Sequence, residues 1–340
     1  MKVLLIGAGD MALHYCKVLK ELKHTIKVVG NSPKTDDSFY RINGEFPTWG
    51  GIEKNIDDLR AEQFDAAIIA SPEQLIGSHT KLLLIHGFKK ILVEKPGGFD
   101  VQDILQVNEL TVKHKAAVFV GYNRRFFAST KKAKSIIADD GGVLSFRFEF
   151  SEWGHVISGI QKAEGVKDQW FLNNSTHIID LSFFLCGWPE QLATFSGGDS
   201  SWHKFGSIFS GAGISCKKAP FSYYANWSSP GNFSLEINTK FRRLLFSPIE
   251  SLQQKLIGER DNTTINIDDK VDKKFKPGLF EMVKSFLDDD HDERLLPIQQ
   301  QAQNMKIFQK IHLQTEFNIL WLLHLMVNVS QSFLEVFLKV

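Results

Sequence analysis

Short apolar runs and helical patterns alternate along the first third of the chain. The apolar runs span residues 2–6, 26–29, 64–70, 90–93 and 116–120. Apolar residues recur at intervals of three or four between residues 11 and 22, and a second helical stretch covers residues 78–87. Strands that alternate with helices are typical of βαβ units and a parallel sheet. The pattern predicts the α/β fold class, with a doubly wound domain over residues 1–121.

The pattern changes after residue 121, where strict alternation replaces the continuous apolar runs. Between Leu144 and Phe150, leucine and phenylalanine occupy one face of the predicted strand and polar residues the other, as in a half-buried antiparallel strand. Further strand-like stretches lie at residues 191–196, 222–227, 233–238 and 240–246, and helical patterns at 176–185, 279–287 and 298–311. We therefore expect a second, α+β domain over residues 122–312, with helices on one face of its sheet. Residues 313–340 are expected to form a C-terminal extension.

Composition and charge exclude several classes of protein. The chain has 40 Lys and Arg against 39 Asp and Glu, a net charge of +1, which provides no global field to hold a nucleic acid. Its 43% hydrophobic and 23% charged residues are typical of a globular protein. Cys16, Cys186 and Cys216 are odd in number and far apart, which argues against a disulfide framework or a zinc site and favours the cytoplasm. Polar residues interrupt the apolar segment 317–334, so we expect a packed helix there and no membrane span.

A glycine-rich turn follows the first predicted strand. Gly7, Gly9 and Ala12 fit the G-x-G-x-x-(G/A) pattern, with Asp10 and Met11 opening the next helix. In this pattern the first glycine permits a tight turn, the second lets the backbone approach a pyrophosphate, and the small third residue allows close helix–strand packing. The N-terminus of the helix adds free N–H donors for phosphate. The turn predicts a Rossmann dinucleotide site.

The residues after the second predicted strand bear on the choice of cofactor. An NAD site commonly has Asp or Glu here to bind the ribose 2′-hydroxyl, whereas this chain has Asn31, Ser32 and Lys34. Without a carboxylate there is no repulsion of a 2′-phosphate, and Lys34 can supply a positive charge. We therefore expect NADP to be preferred over NAD. The alternative is that Lys34 is an exposed lysine of the turn.

Two further segments carry polar groups suited to proton transfer. Lys95 follows a predicted parallel strand and precedes a proline, so it points to the edge of the sheet where ligands bind, unless it is a surface charge before a turn. Asn173 and His177 are four residues apart and share one face if the stretch is helical, although such a histidine can equally belong to the core. The chain contains no HExxH, GxSxG or GxxxxGK[ST] sequence, and we expect no metal site.

Five short motifs occur in one order along the chain. They are Gly7–Ala12, Ala70-Ser71-Pro72 followed by His79, Glu94-Lys95-Pro96, residues 121–126 (GYNRRF), and Asn173, His177 and Asp180. Together these motifs resemble the glucose–fructose oxidoreductase/inositol dehydrogenase family (Gfo/Idh/MocA), over residues 1–312. The resemblance implies a Rossmann domain followed by a domain with an open, mostly antiparallel sheet. It also implies NAD(P)-dependent hydride transfer.

The resemblance assigns roles to individual residues. It implies that Lys95 and His177 are the catalytic lysine and histidine, and that Ser71, Pro72 and Glu94 line the nicotinamide side together with Lys95. Asn123 and Arg124 would lie near cofactor and substrate. Asn173 stands where many members have Asp, and an amide cannot titrate, so its role would be to orient the substrate. With asparagine at this place, the chain resembles the sugar-nucleotide dehydrogenases of surface-polysaccharide pathways.

The leading hypothesis is an NAD(P)-dependent dehydrogenase or reductase that acts on a hydroxyl or carbonyl of a sugar, polyol or sugar nucleotide. The expected substrate wall consists of residues whose rings cover sugar faces or whose charge binds an anion: Tyr122, Arg124, Trp153, His155 and Trp170. The alternatives are a catalytically silent cofactor-binding sensor or scaffold, and a reductase of a non-sugar carbonyl or imine. We also expect a homo-oligomer, a dimer or tetramer, because helices cover only one face of the second sheet, and an extension that is peripheral to catalysis.

Overall fold

Two β-sheets organise the computed structural model, which describes residues 1–33, 37–288 and 291–313. The predictions that rest on Lys34 and on the extension beyond Leu313 fall outside the described residues. Among the residues within these ranges, no helix is long and apolar enough to cross a membrane.

The first sheet has seven strands, and all but one of them run parallel. Its order is β15-β6-β5-β4-β1-β2-β3. The strands are β1 (Lys2–Ile6), β2 (Thr25–Gly30), β3 (Thr48–Trp49), β4 (Ala66–Ile69), β5 (Lys90–Glu94), β6 (Ala117–Gly121) and β15 (Leu296–Pro297). The helices between them are α1 (Asp10–Glu21), α2 (Ser38–Asn43), α3 (Ile52–Glu62), α4 (Ile76–Ile85) and α5 (Val101–Lys113). The doubly wound prediction is confirmed.

Continuous apolar runs form these strands because both faces of the sheet are covered. Val3, Leu4 and Leu5 are fully buried, and successive residues of β1 pack into two different hydrophobic clusters, one on each side. A parallel sheet brings the carboxyl ends of β1, β4 and β5 to one edge. The Gly-rich turn and Lys95 lie at that edge.

The end of the described chain returns to the first sheet. Three elements, α10 (Leu279–Asp288), β15 and α11 (Ile298–His312), follow the second domain in sequence. β15 pairs antiparallel with β6, and α11 packs against α5. The sequence pattern could not indicate this return, because β15 has only two residues and carries no periodicity. Part of the segment expected in the second domain therefore completes the first.

The second sheet has eight strands in the order β14-β13-β12-β11-β7-β10-β9-β8 and is antiparallel except for the β7–β10 pair. Its strands are β7 (Ser145–Phe150), β8 (Pro189–Gly197), β9 (Ile208–Ser215), β10 (Pro220–Asn226), β11 (Phe233–Asn238), β12 (Arg242–Phe246), β13 (Gln253–Leu256) and β14 (Thr263–Thr264). The helices of this part are α6 (Ala128–Asp139), α7 (Gly154–Ile157), α8 (Thr176–Cys186) and α9 (Lys270–Lys274). The expected second, mostly antiparallel domain is confirmed.

The alternating strand β7 buries one face against α8. Phe146 and Phe148 meet the ring of Phe183 edge-on, with centroids 6.3 and 5.5 Å apart. Leu144 precedes the strand and is exposed. On the opposite face of the sheet, Phe195 and Tyr224 are exposed. Helix α8 is thus fixed over the centre of the sheet, and its N-terminal turn points to the first domain.

Candidate functional site

A cleft of about 620 Å³ opens at the carboxyl edge of the first sheet. We call it the cofactor cleft. It is lined by the Gly-rich turn, the ends of β2, β4 and β5, and one residue of the second domain: Ile6–Met11, Val29, Asn31, Ser32, Ile52, Ala70–Glu73, Ile76, His79, Glu94, Lys95 and Lys162. Of the predicted cofactor residues, Gly7, Gly9, Asp10, Met11, Asn31, Ser32, Ser71, Pro72, Glu94 and Lys95 are brought together here. Ala12 is buried in the helix–sheet contact.

The Gly-rich turn leaves room for a phosphate. Gly7 has φ +118°, and a Cβ on it would lie 2.3 Å from the carbonyl oxygen of Ala70, so the turn accepts only glycine here. A Cβ on Gly9 would meet nothing within 4 Å, because this backbone faces the open cleft. Gly9 caps α1 without a side-chain hydrogen bond, which leaves the first N–H groups of the helix free. The turn fits a dinucleotide pyrophosphate.

A polar chain beside the cofactor cleft leads from Ser71 through His79 to Glu53, a residue that sequence reasoning missed. The Ser71 hydroxyl and His79 Nδ1 are 2.7 Å apart, and His79 Nε2 lies 3.3 Å from Glu53 Oε1. Burial lowers the pKa of His79, and Glu53 partly offsets this effect. Glu53 Oε2 and Asn31 Oδ1 both lie within 3.1 Å of the point where a Cβ on Gly51 would stand. The two oxygens are therefore at most about 6 Å apart, so α3 places a carboxylate near Asn31, although the end of β2 has none.

Lys95 lies where the cofactor cleft meets the second domain. Burial lowers its pKa most strongly, and the neighbouring carboxylates of Glu94 and Glu73 counteract that shift. Glu94 accepts a hydrogen bond of 2.6 Å from the Tyr15 hydroxyl, which fixes its carboxylate beneath the turn. The Lys95 ammonium donates to the main-chain oxygen of Asn173. This bond links the first sheet to the segment that carries Asn173 and His177.

Asn173 and His177 stand on consecutive helical turns. Residues Phe171–Ser175 form a π-helical turn that leads directly into α8, a geometry often found at functional sites. Both polar atoms of the Asn173 side chain, and Nδ1 of His177, are buried without a hydrogen-bond partner among the described residues. Buried polar groups are rarely left unpaired. These atoms are therefore available to a bound molecule.

Positive charge surrounds His177. Burial holds its pKa well below 6.5, and the charges of Lys95, Arg124 and Lys276 lower it further, so the imidazole is neutral at neutral pH. Arg124 is itself buried, which lowers its pKa to about 10, and its Nη1 has no partner among the described residues. Its guanidinium lies 4.9 Å from the centroid of the Phe233 ring. The site thus combines a neutral imidazole with three basic side chains.

Glu152 is a second residue that sequence reasoning missed. It follows β7, is 5% exposed, and accepts hydrogen bonds of 2.8 Å from the Ser175 hydroxyl and the Asn174 amide. Burial raises its pKa, whereas these hydrogen bonds and the charge of Lys95 lower it. Its acidic group is therefore an electrostatic neighbour of both Lys95 and Arg124. The available signal was a charged residue two positions after an alternating strand.

The remaining residues of the GYNRRF segment are held by the protein itself. Tyr122 is 1% exposed, donates to Thr176 Oγ1 at 3.0 Å, and packs edge-on against His177. Its placement is behind His177 rather than on a substrate wall. Asn123 donates to the Pro277 carbonyl at 2.9 Å. Arg125 forms a buried ion pair with Asp180, which ties this segment to α8.

The predicted substrate residues Trp153 and His155 lie in a separate cavity of about 630 Å³, which we call the aromatic groove. It is lined by residues at the ends of the second sheet's strands: Trp153, Gly154, His155, Ser158, Asp199–Trp202 and Trp227–Gly231. Trp170 stands between the two sites, edge-on to Trp202 at 6.0 Å and three residues before Asn173. The groove therefore adjoins the segment that carries Asn173 and His177.

The described residues hold no group of three or more His, Cys, Asp or Glu side chains that could bind a metal ion. The cysteines at positions 16, 186 and 216 are unpaired.

Comparison with known sequences identifies the first domain. Residues 1–122 match the profile of the family described as "Oxidoreductase family, NAD-binding Rossmann fold" (Gfo/Idh/MocA). A comparison with curated protein sequences finds no significant match.

Solved structures with the same two-domain fold cover nearly the whole chain. UDP-N-acetylglucosamine 3-dehydrogenase GnnA from Acidithiobacillus ferrooxidans has a TM-score of 0.69 and 12% identity, covering 92% of this chain and 96% of its own. The dehydrogenase MviM from Clostridium difficile has a TM-score of 0.71 and 17% identity, covering 92% and 98%. Levoglucosan dehydrogenase in complex with NADH has a TM-score of 0.71 and 16% identity, covering 92% and 95%. At these identities the likeness establishes the fold.

Proposed function

We propose that this chain transfers a hydride between a nicotinamide dinucleotide and a hydroxyl or carbonyl of a sugar-type substrate, and the match of residues 1–122 to the Gfo/Idh/MocA family of NAD-binding oxidoreductases supports this proposal. The observation that carries this proposal is the bond from Lys95 to Asn173. It joins the cofactor cleft to the segment of Asn173 and His177, whose side chains have buried polar atoms without a partner among the described residues, as does Arg124, whose charge acts on His177. A polyhydroxylated substrate requires such a set of donors and acceptors.

The chain's own groups account for the movement of the proton. Oxidation of a carbinol to a carbonyl removes one hydride and one hydroxyl proton from the substrate. A bound oxidised nicotinamide would accept the hydride. We assign the proton to the neutral imidazole of His177 and the stabilisation of the developing alkoxide to the Lys95 ammonium. Burial also lowers the pKa of Lys95, which makes it the alternative proton acceptor.

Asn173 and Arg124 are assigned to substrate binding. The unpaired amide of Asn173 can donate to one hydroxyl and accept from another, and the Arg124 guanidinium suits a hydroxyl, carboxylate or phosphate. Neighbouring structures include enzymes named for levoglucosan and for UDP-N-acetylglucosamine, which supports a sugar-type substrate without selecting one. The sugar nucleotides of surface-polysaccharide pathways are among the substrates that this proposal includes.

The alternatives differ in what they require of the site. A silent sensor needs the cofactor cleft but not the convergence of Lys95, Asn173 and His177. A reductase of a non-sugar carbonyl or imine needs fewer unpaired polar groups than Asn173, His177 and Arg124 provide together. We therefore favour turnover of a sugar-type substrate.

Two opposing charges bear on the choice between NAD and NADP. The preference for NADP that Ser32 and Lys34 predict stays a prediction, and the Glu53 carboxylate near Asn31 opposes it by repelling a 2′-phosphate. Calorimetry with NAD and with NADP measures the separate effects of Glu53 and Lys34 on this preference. Glu53→Gln should raise the affinity for NADP relative to NAD by about tenfold, the worth of roughly 1.4 kcal/mol. Lys34→Ala should lower that ratio, and an unchanged ratio in both variants contradicts the two assignments.

We also propose a homo-oligomer that acts in the cytoplasm. The uncovered face of the second sheet exposes Phe195 at 61% and Tyr224 at 48%, and such a face invites a second copy. Light scattering of the purified chain tests this part, and a monomer at micromolar concentration contradicts it.

Activity measurements test the central proposal. The purified chain is incubated with NAD or NADP and a panel of monosaccharides, polyols and sugar nucleotides, and the absorbance of reduced nicotinamide is followed. Lys95→Met and His177→Asn should each lower kcat by roughly 10²–10⁴, the usual worth of general acid–base catalysis, with cofactor affinity unchanged. The matched controls are Lys132→Met, at an exposed position, and His114→Asn, at a half-buried position directly after α5, and both should behave as wild type. Wild-type rates in both site variants would falsify the assignment.

A further inference from the structure

The aromatic groove has no part in the proposed hydride transfer, yet it adjoins the site. Segment 158–168 separates the two, because Ser158 lines the groove whereas Lys162 lines the cofactor cleft. Lys162 also pairs with Glu73 of the first domain at 2.9 Å. Trp170, three residues before Asn173, meets the groove residue Trp202 edge-on at 6.0 Å. A molecule that extends from Asn173 past Trp170 would therefore enter the groove. Its volume of about 630 Å³ falls in the range of small-molecule sites.

Trp153 and Trp202 provide flat apolar surfaces in the groove, and the buried Trp227 supports Trp202. Trp153 is 57% exposed, although a ring of this size is usually covered, and its Nε1 donates to the Gly231 carbonyl at 3.0 Å. Trp202 and Trp227 stack with centroids 5.3 Å apart and planes inclined by 16°. The hydrogen bond and the stacking hold the rings in fixed orientations. Rigid rings bind a flat ligand face with little loss of conformational entropy.

Two glycines keep the walls of the groove close together. A Cβ on Gly154 would lie 2.2 Å from the Trp227 carbonyl oxygen and 3.4 Å from Trp202 Nε1. A Cβ on Gly231 would lie 2.4 Å from Cβ of Ser151. Larger residues at these positions would push the tryptophans apart. The geometry of the rings is therefore built into the loops around β7, β10 and β11.

The polar groups of the groove select against an anion. Serine hydroxyls surround the rings, at Ser158, Ser200, Ser201, Ser228 and Ser229. Asp199 adds a carboxylate, and the described residues that line the groove include no Lys or Arg. A phosphate placed here would face a negative charge without a cation to neutralise it. A neutral sugar, in contrast, has hydroxyl groups that can bond to the serines and an apolar ring face that can stack on the tryptophans.

We propose that the aromatic groove binds a neutral pyranose unit of the substrate, one glycosidic bond away from the unit that is oxidised or reduced. This inference rests on the proposed function and narrows it from sugars in general to neutral glycosides and oligosaccharides. A sugar ring stacks its C–H face on tryptophan and directs its hydroxyls to serine and aspartate. The base of a sugar nucleotide could also stack, but its pyrophosphate would lie beside Asp199.

Binding measurements test the inference without requiring turnover. The full chain, in the presence of NAD, is applied to an array that carries neutral di- and oligosaccharides beside sialylated, sulfated and nucleotide-linked sugars. We expect binding to a subset of the neutral glycans, and the affinity for the best one is then measured by calorimetry. Trp153→Ala should weaken it by about tenfold or more, whereas Trp153→Phe should stay within about threefold, because the stacking surface is kept.

The matched control is Phe241→Ala, which removes an exposed aromatic ring from the opposite end of β11 in the same domain and should leave the affinity unchanged. Binding only to anionic or nucleotide-linked sugars, binding to none, or an unchanged affinity in Trp153→Ala overturns the inference. The proposed function can fail separately. If the chain binds neutral glycans through Trp153 but transfers no hydride to any of them, the groove binds glycans as inferred, but the proposed function is wrong.

Discussion

The buried ion pair between Arg125 and Asp180 makes the sharpest prediction about stability. Arg125 Nε and Nη2 donate to the two Asp180 oxygens at 2.8 and 2.6 Å, and the side chains are 5% and 1% exposed. Asp180→Asn leaves the guanidinium buried without a counter-charge. Breaking a buried pair in this way costs about 3–5 kcal/mol of unfolding free energy. Because Asp180 lies three residues after His177, the change should also displace the imidazole and lower kcat.

The double variant Arg125→Met/Asp180→Leu separates the loss of the pair from the loss of one partner. It removes both charges and fills their volume with apolar atoms, so its unfolding free energy should return to within about 2 kcal/mol of wild type. Urea unfolding followed by fluorescence and by circular dichroism measures both variants, and coincident curves confirm that one transition is compared. If Asp180→Asn alone unfolds within about 1 kcal/mol of wild type, the pair does not hold the segment to α8.

Three further predictions address the turn, acid stability and the proton acceptor. Gly7→Ala should abolish cofactor binding because its Cβ would overlap the Ala70 carbonyl, whereas Gly9→Ala should fold normally and weaken only cofactor affinity, as calorimetry can show. Burial and His203 lower the folded pKa of His312 to about 3. As the pH falls below 6.5, the unfolded chain therefore binds a proton at this residue before the folded chain does. The free energy of unfolding should drop by about 2 kcal/mol between pH 7 and pH 5 because of this residue. His312→Phe, which can keep the stacking on Phe171, should remove that part of the slope in urea titrations. Oxidation rates should be flat from about pH 6.5 to 8 if neutral His177 accepts the proton, and should rise with pH if Lys95 does.

Local patterns predicted the parts of the site that depend on consecutive residues. The Gly-rich turn follows from an apolar strand, two glycines and a helix, and Lys95 follows from the strand it terminates. Glu53 and Glu152 were missed because long-range pairing places them. Glu53 comes close to Asn31 through the pairing of Gly30 with Trp49, and Glu152 through the hydrogen bonds from the Ser175 and Asn174 side chains. Similarly, Tyr122 was predicted to line the substrate wall, but it is buried through contacts with α8 and α11, which lie far away in sequence.

The charges of the proposed site favour one division of roles. Burial, together with the charges of Lys95 and Arg124, keeps His177 neutral, so its ring has a free site for a proton, but its protonated form is a stronger acid than an ordinary imidazolium. A proton taken from a substrate hydroxyl would therefore be passed on readily, and the same imidazolium would protonate an alkoxide readily in the reverse direction. Glu94 and Glu152 have the opposite effect on Lys95, since their carboxylates counteract the burial that lowers its pKa. In its charged form, the Lys95 ammonium would stabilise an alkoxide while the neutral imidazole moves the proton. We therefore propose His177 as the acceptor and Lys95 as the electrostatic partner.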